Sequence, residues 1–205
     1  MGRNMARTAK YSRDELRDMA AVAARAVIAE DGPRSLNVRA VAKRMGYSVG
    51  TIYNIFEGLE ELVAWLNAAT LDKLYDAVSA VPATGNAEAD LHALLDRYLA
   101  FIEGNADDWA MMFEARLPGA DAPPPWYLEK VAQLFALLAR FMHPLFGPGK
   151  EAARDQAVRL LWISLHGLWT LAADGKLYMI TDAPVDRVAH ALLDTHLAAI
   201  GAKGA

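Results

Sequence analysis

The chain has 205 residues, a formal net charge of −4 and no cysteine, with 54% of its residues hydrophobic and 22% charged. That length can bury a substantial core. The lack of cysteine excludes a disulfide framework and thiolate metal sites, and no apolar run approaches the ~18 residues that read as a membrane span. Alanine and leucine dominate over valine and isoleucine, and alternating apolar and polar stretches are absent, so the expected fold is all-α with no sheet. Residues 1–6 carry basic side chains without a following apolar segment, and Ala6 does not fit a myristoylation signal. A soluble protein in the cytoplasm is expected.

The charge is unevenly spread. Residues 1–57 hold ten Lys/Arg against six Asp/Glu, while the remainder holds eleven against nineteen. A basic head on an acidic body suits a nucleic-acid partner, because phosphates need cations only where the duplex lies. A basic tail alone explains part of the excess, since Arg3, Arg7 and Lys10 precede Tyr11.

Taken in chain order, Ser12-Arg13-Asp14-Glu15 is a capping box that should start a first helix. Leu16, Met19, Ala20, Ala23 and Val27 then recur at helical spacing until Asp31-Gly32-Pro33 stops the helix. Asn37 is the expected cap of a short second helix, Val38 to Met45, ended by Gly46, and Ser48 caps a third, from Val49 to about Phe56. A longer helix should run from Gly58 to about Ala80, followed by a loop at residues 81–86. Further helices are predicted over about 87–104, 106–116, 126–145, 150–174 and 184–200, separated by proline- and glycine-rich breaks. The expected organisation is a head, residues 1–57, and a helical body, residues 58–205.

Residues 38–57 form the unit that carries function. Two short helices cross tightly when the first offers a small residue, the turn tolerates positive φ and the second returns an apolar residue to the shared core. Ala42, Gly46 and Ile52 meet these demands. On that triplet alone an ordinary helical hairpin fits as well. The basic excess and the small, polar outer face of Ser48, Val49, Gly50, Thr51, Tyr53 and Asn54 favour a helix-turn-helix whose second helix enters the major groove.

The segment from Asn37 to Phe56, with the onward spacing to Glu60-Glu61-Leu62, resembles the TetR family of bacterial regulators. The resemblance implies an all-α fold of about nine helices, with a three-helix DNA-binding head and a helical ligand-binding and dimerisation body. It also implies DNA contacts from Arg39, Ser48, Thr51 and Tyr53, while Phe56 is structural. The chain departs from the family pattern at Leu59, where a lysine is usual, and at Ile55, where an aromatic or histidine is frequent. The phosphate grip is therefore expected to rest on Tyr53, Lys43 and Arg44, with Arg7, Lys10 and Arg13. Together with Val49, Gly50 and Asn54 these are the candidate DNA-binding residues.

Trp162-Ile163-Ser164-Leu165-His166-Gly167 is similar to the Trp-x-x-x-His-Gly signature of one subgroup of TetR-type C-terminal domains. Candidate ligand-binding residues are Phe101, Trp109, Met112, Phe113, Phe135, Trp162, His166 and Trp169, although most aromatic residues at helical spacing serve as core. His166 suits a single polar group orienting an apolar ligand, and equally a hydrogen-bonded core histidine. Stripes on the last two helices, Leu160, Leu161, Ser164, Leu165, Leu168 and Leu171 on one and Val185, Val188, Ala189, Leu192, Leu193, His196, Leu197 and Ile200 on the other, predict a homodimer closed as a four-helix bundle. Such a dimer is expected to act as a repressor that reads a partly palindromic DNA operator and is released by a small apolar or aromatic effector. The histidines at 92, 143, 166, 190 and 196 form no metal-ligand motif, and no nucleophile turn or phosphate loop is present, so neither an enzyme nor a cofactor is expected. A helical adaptor that binds protein would share the body but would not need the surface from Ser48 to Tyr53.

Overall fold

Helix caps written into the sequence set the boundaries of the head. The computed structural model describes residues 11–114 and 123–204, and among them every regular element is helical. The first helix, α1, is Arg13–Asp31; Ser12 accepts a hydrogen bond from the Glu15 amide at 3.2 Å while the Glu15 carboxylate accepts from the Ser12 amide at 2.6 Å. It ends where Gly32 turns to φ 81° and its amide donates to the Ile28 carbonyl. After a short 3₁₀ turn, Asn37 caps α2, Val38–Met45, and Ser48 caps α3, Val49–Ile55. The residue after α3, Phe56, is already extended, so α3 stops one residue before the expected end.

The remaining helices are α4 (Leu59–Ser79), α5 (Ala87–Gly104), α6 (Ala106–Glu114), α7 (Pro125–Met142), α8 (Glu151–Ala173) and α9 (Val185–Gly204). The described residues divide into two compact units. The first takes residues 11–68, 111–114 and 123–124, and the second takes 69–110 and 125–204.

In the first unit α1 buries a face of small residues. Ala20 and Ala24 are fully covered, with Ala21 and Ala23 beside them, so α2 and α3 approach closely and seat Val41, Ala42, Ile52 and Ile55 against that face. Phe56, Leu62, Leu66 and Met111 complete the same core. The turn between α2 and α3 depends on Gly46, which sits at φ 73°, ψ 27° and donates its amide to α2 carbonyls. A Cβ added there meets nothing within 4 Å, so the requirement is purely conformational. Gly46→Ala should lower stability by about 1–2 kcal/mol, with Gly46→Asn milder, because asparagine tolerates the left-handed region better than alanine. Equilibrium urea unfolding measures this, and an alanine variant as stable as the parent would refute it.

The second unit is built from packed pairs: α5 against α7 and α9, and α8 against α7 and α9. The approach to α5 is organised by the buried Asp90 carboxylate, which accepts from the Thr84 hydroxyl at 2.6 Å, from the Thr84 amide and from the Gly85 amide. These bonds, the Thr84 hydroxyl foremost, hold the Asp90 carboxyl below its ordinary range. Across α5 and α9, two His-x-x-x-Asp pairs interlock. The His92 and His190 rings stack with centroids 5.0 Å apart and their Nδ1 atoms 2.7 Å apart, so one ring donates and the other accepts. His92 Nε2 faces Asp194 at 3.0 Å and His190 Nε2 faces Asp96 at 2.8 Å, which pins the two helices at one register.

Candidate functional site

The recognition surface rests on α3. Ile52 and Ile55 point into the core and leave the opposite side of this two-turn helix outward. Ser48 Oγ accepts from the Thr51 amide at 3.2 Å and lies 3.1 Å from Thr51 Oγ1, which places two bonded hydroxyls at the helix N-terminus beside its unpaired amides. Tyr53 is 57% exposed, and Gly50 and Asn54 are exposed with it. Val49 is half-buried and packs against the core, so it is the least available of the α3 candidates. On α2, Arg39 and Lys43 are exposed, and among the described residues neither is in an ion pair. Arg7 and Lys10 lie outside the described residues.

Two of the expected phosphate-gripping arginines have partners inside the protein. Arg44 forks onto the Glu30 carboxylate, tying the end of α2 to the end of α1. The hydrogen bonds to Glu30 raise the pKa of the Arg44 guanidinium above its ordinary value. Arg13 Nη2 donates to the Ile55 carbonyl at 3.4 Å. Leu59 packs against the core, where a lysine would reach outward, and Ile55 is buried. Both departures from the family pattern are therefore absorbed as packing.

Sequence reasoning missed Arg17, whose side chain is only 16% exposed. Its Nε donates to the Ile55 carbonyl at 3.0 Å and its Nη2 to Glu61 Oε1 at 3.1 Å. The guanidinium lies 4.9 Å from the Trp65 ring centroid and 5.5 Å from that of Phe56. Glu61 Oε2 in turn accepts from the Glu57 amide at 2.7 Å. Arg17 thus fixes the C-terminal end of α3 to the start of α4. The available signal was the pairing of an i, i+4 spacing on α1, 13 and 17, with one on α4, 61 and 65.

The second unit holds an apolar cavity. Leu74 and Val78 of α4, Leu91 to Tyr98 of α5, Leu134 to Leu138 of α7, Leu161 to Leu165 of α8 and Leu193 of α9 contribute to its wall. Of the candidate ligand residues, Phe135 and Trp162 line it. Trp109 is fully buried, with its ring set edge-on to Tyr98 at 5.6 Å and to Phe101 at 6.3 Å, as packed core. Met112 and Trp169 are half-buried and are not among its lining residues, and the Phe113 side chain lies outside the described residues.

His166 is also absent from the lining; its ring stacks on Trp162 at 4.9 Å and stands 5.7 Å from Trp109. Burial pushes its pKa down to about 4. The unfolded chain, with an ordinary histidine near 6.5, binds the proton first as pH falls. The contribution to stability is therefore complete above pH 6.5 and is lost as pH drops toward about 4. Partial exposure limits the loss to about 1–2 kcal/mol. Denaturant melts at pH 7 and pH 4.5 should show this loss in the parent and not in His166→Leu; equal losses in both would refute it.

On the outer side of α8, Leu160 is 49% and Ile163 63% exposed, with Ser164 and Gly167 completing the face. Leu161, Leu168, Ala189 and Leu193 of the predicted stripes are turned inward, and His196 Nε2 donates to the Ala157 carbonyl at 2.9 Å. Ile163 belongs to the outward face, which the sequence reading left without it. Among the described residues no helix is long and apolar enough to cross a membrane.

The profile of the tetracyclin repressor-like C-terminal domain matches residues 91–196, and that of bacterial regulatory proteins of the tetR family matches residues 21–65. No curated protein matches the chain in sequence. Solved structures share the fold. A protein of unknown function from Rhodococcus sp. RHA1 superposes with a TM-score of 0.70 at 23% identity, covering 95% of this chain and 98% of its own. A TetR-family transcriptional regulator from Streptomyces coelicolor gives 0.65 at 19%, covering 92% and 98%. The fatty acid degradation regulator FadR from Bacillus halodurans gives 0.61 at 18%, covering 88% and 94%. With a capped helix-turn-helix in its first unit and matches to both halves of the family's architecture, the chain belongs to the TetR family of DNA-binding transcriptional regulators.

Proposed function

We propose that the protein is a ligand-responsive repressor that binds a palindromic operator as a homodimer and is released by a small apolar effector. The observation that carries this reading is the outward face of α3, with its paired Ser48 and Thr51 hydroxyls and exposed Tyr53. In this reading Ser48, Thr51 and Tyr53 meet phosphates, Gly50 and Asn54 approach base edges, and Arg39 and Lys43 supply the backbone charge that α3 lacks. Val49 has a smaller part, and Arg44 acts through Glu30 by fixing α2.

The exposed Leu160 and Ile163 of α8 support pairing through α8 and α9, because two such helices from each subunit close a four-helix bundle about a two-fold axis. The cavity in the second unit serves as the effector site. Its ligand acts by preferring a body geometry that sets the two heads at the wrong spacing, which requires unequal affinity for the two geometries.

The test is a fluorescence-anisotropy titration of the full chain against the DNA upstream of its own coding sequence, with light scattering for mass. A dimer that protects a two-fold site, and whose affinity falls with salt less steeply in Lys43→Ala, supports the reading. A monomer, or binding indifferent to Thr51→Ala and Tyr53→Phe, overturns it.

A further inference from the structure

The wall of the second unit's cavity restricts what can occupy it. Of its fourteen described lining residues eleven are leucine or valine, the others are Tyr98, Phe135 and Trp162, and none of them carries a charge. An ionised carboxylate or ammonium placed there would give up its hydration and meet no counter-charge, which is strongly unfavourable.

Among the described lining residues Tyr98 supplies the only hydroxyl. Its ring is set edge-on to Trp109 at 5.6 Å and at an angle to Trp162 at 6.0 Å, which limits its freedom to turn away. The Tyr98 hydroxyl is buried and, among the described residues, has no hydrogen-bond partner. Buried hydroxyls are nearly always partnered, so a group of this kind on a residue that lines an apolar cavity leaves a bond that a ligand atom can complete. Burial also raises the phenol far above its ordinary range, so at neutral pH it is a donor and asks for an acceptor.

We infer that the effector is an uncharged, mainly aliphatic molecule with one acceptor oxygen, a carbonyl or ether, which takes the hydrogen bond of Tyr98 while its hydrocarbon part lies against the leucine wall. This rests on the reading of the cavity as the effector site. It assigns Tyr98 the orienting role for which the sequence had offered His166.

Three probes of equal chain length test the assignment on the full chain: 2-nonanone, nonanoate and nonylamine at pH 7, titrated by the fluorescence of the tryptophans, of which Trp162 lines the cavity. The ketone should bind at least about tenfold tighter than either charged probe, and Tyr98→Phe should weaken the ketone about tenfold, the worth of one buried hydrogen bond, while leaving the charged probes unchanged. Thermal melts should find Tyr98→Phe as stable as the parent or more so, since the substitution removes an unpartnered group.

Nonanoate or nonylamine binding as tightly as the ketone would overturn the neutral class. Ketone binding unchanged in Tyr98→Phe, a clear fall in its melting temperature, or no ketone binding at millimolar concentration would overturn the assignment to Tyr98. Operator affinity is read in parallel. Tight, Tyr98-dependent ketone binding that leaves operator affinity unaltered supports the ligand class and counts instead against the repressor coupling.

Discussion

Arg17→Ala should lower stability by about 2–3 kcal/mol and weaken operator binding by about tenfold or more, although Arg17 is placed away from the outward face of α3. The side chain makes three kinds of contact at once: a hydrogen bond to the Ile55 carbonyl, an ion pair with Glu61 and cation–π contacts with Phe56 and Trp65. Deleting it leaves the carbonyl at the end of α3 with only the longer bond from Arg13, and leaves a Glu61 carboxylate that is 19% exposed without its cation. A seven-residue helix has few hydrogen bonds of its own with which to hold its orientation. Loosening its C-terminal end therefore spreads the directions in which Ser48 and Tyr53 point, and binding then carries the cost of ordering them. Arg17→Lys keeps the charge but cannot donate to a carbonyl and a carboxylate from one planar fork, so it should recover part of the stability and little of the operator affinity. Thermal unfolding and anisotropy titration check both quantities. An alanine variant as stable as the parent, with unchanged affinity, would remove Arg17 from this positioning role.

The parts of the molecule that were legible in the sequence are those whose physics is local. Ser12, Asn37 and Ser48 announce helix starts because a short side-chain oxygen satisfies an orphan amide two or three residues on, and Gly46 announces a turn because its backbone angle suits few other residues. Ala42 and Ile52 could be placed in the core from spacing alone. What escaped depends on distance through space. Arg44 and Arg13 read as free cations until α1 and α3 supplied them with Glu30 and the Ile55 carbonyl. The aromatic residues drew attention as a possible ligand pocket, yet Trp109 and Phe101 pack against each other, and the cavity opened among leucines. A leucine that lines a void and one that fills a core have the same sequence signature, because the void comes from imperfect complementarity among five helices. Ile163 escaped for a related reason: helical periodicity gives the angle between two faces, but only packing decides which of them is covered.

Gly50→Ala separates the recognition surface from the stability of the protein that carries it. A Cβ at Gly50 would have Ser48 Oγ as its nearest neighbour, at 3.6 Å, an ordinary contact, and the backbone there is helical. Alanine also loses less backbone entropy than glycine in a helix, so the free protein should be as stable as before or more stable by up to about 1 kcal/mol. In the proposed complex the same methyl stands on the outward first turn of α3, between the Ser48 and Thr51 hydroxyls and the duplex. There it pushes the helix off the base edges by a fraction of its own diameter. Several phosphate and base contacts lengthen together, and operator affinity should fall by about tenfold or more, with a smaller effect on non-specific DNA, whose backbone contacts tolerate a shift. Paired melts and anisotropy titrations on operator and scrambled duplexes give both numbers. Operator affinity within twofold of the parent would mean that no base edge comes close to Gly50, and the groove-facing part of α3 would have to be sought elsewhere on its surface.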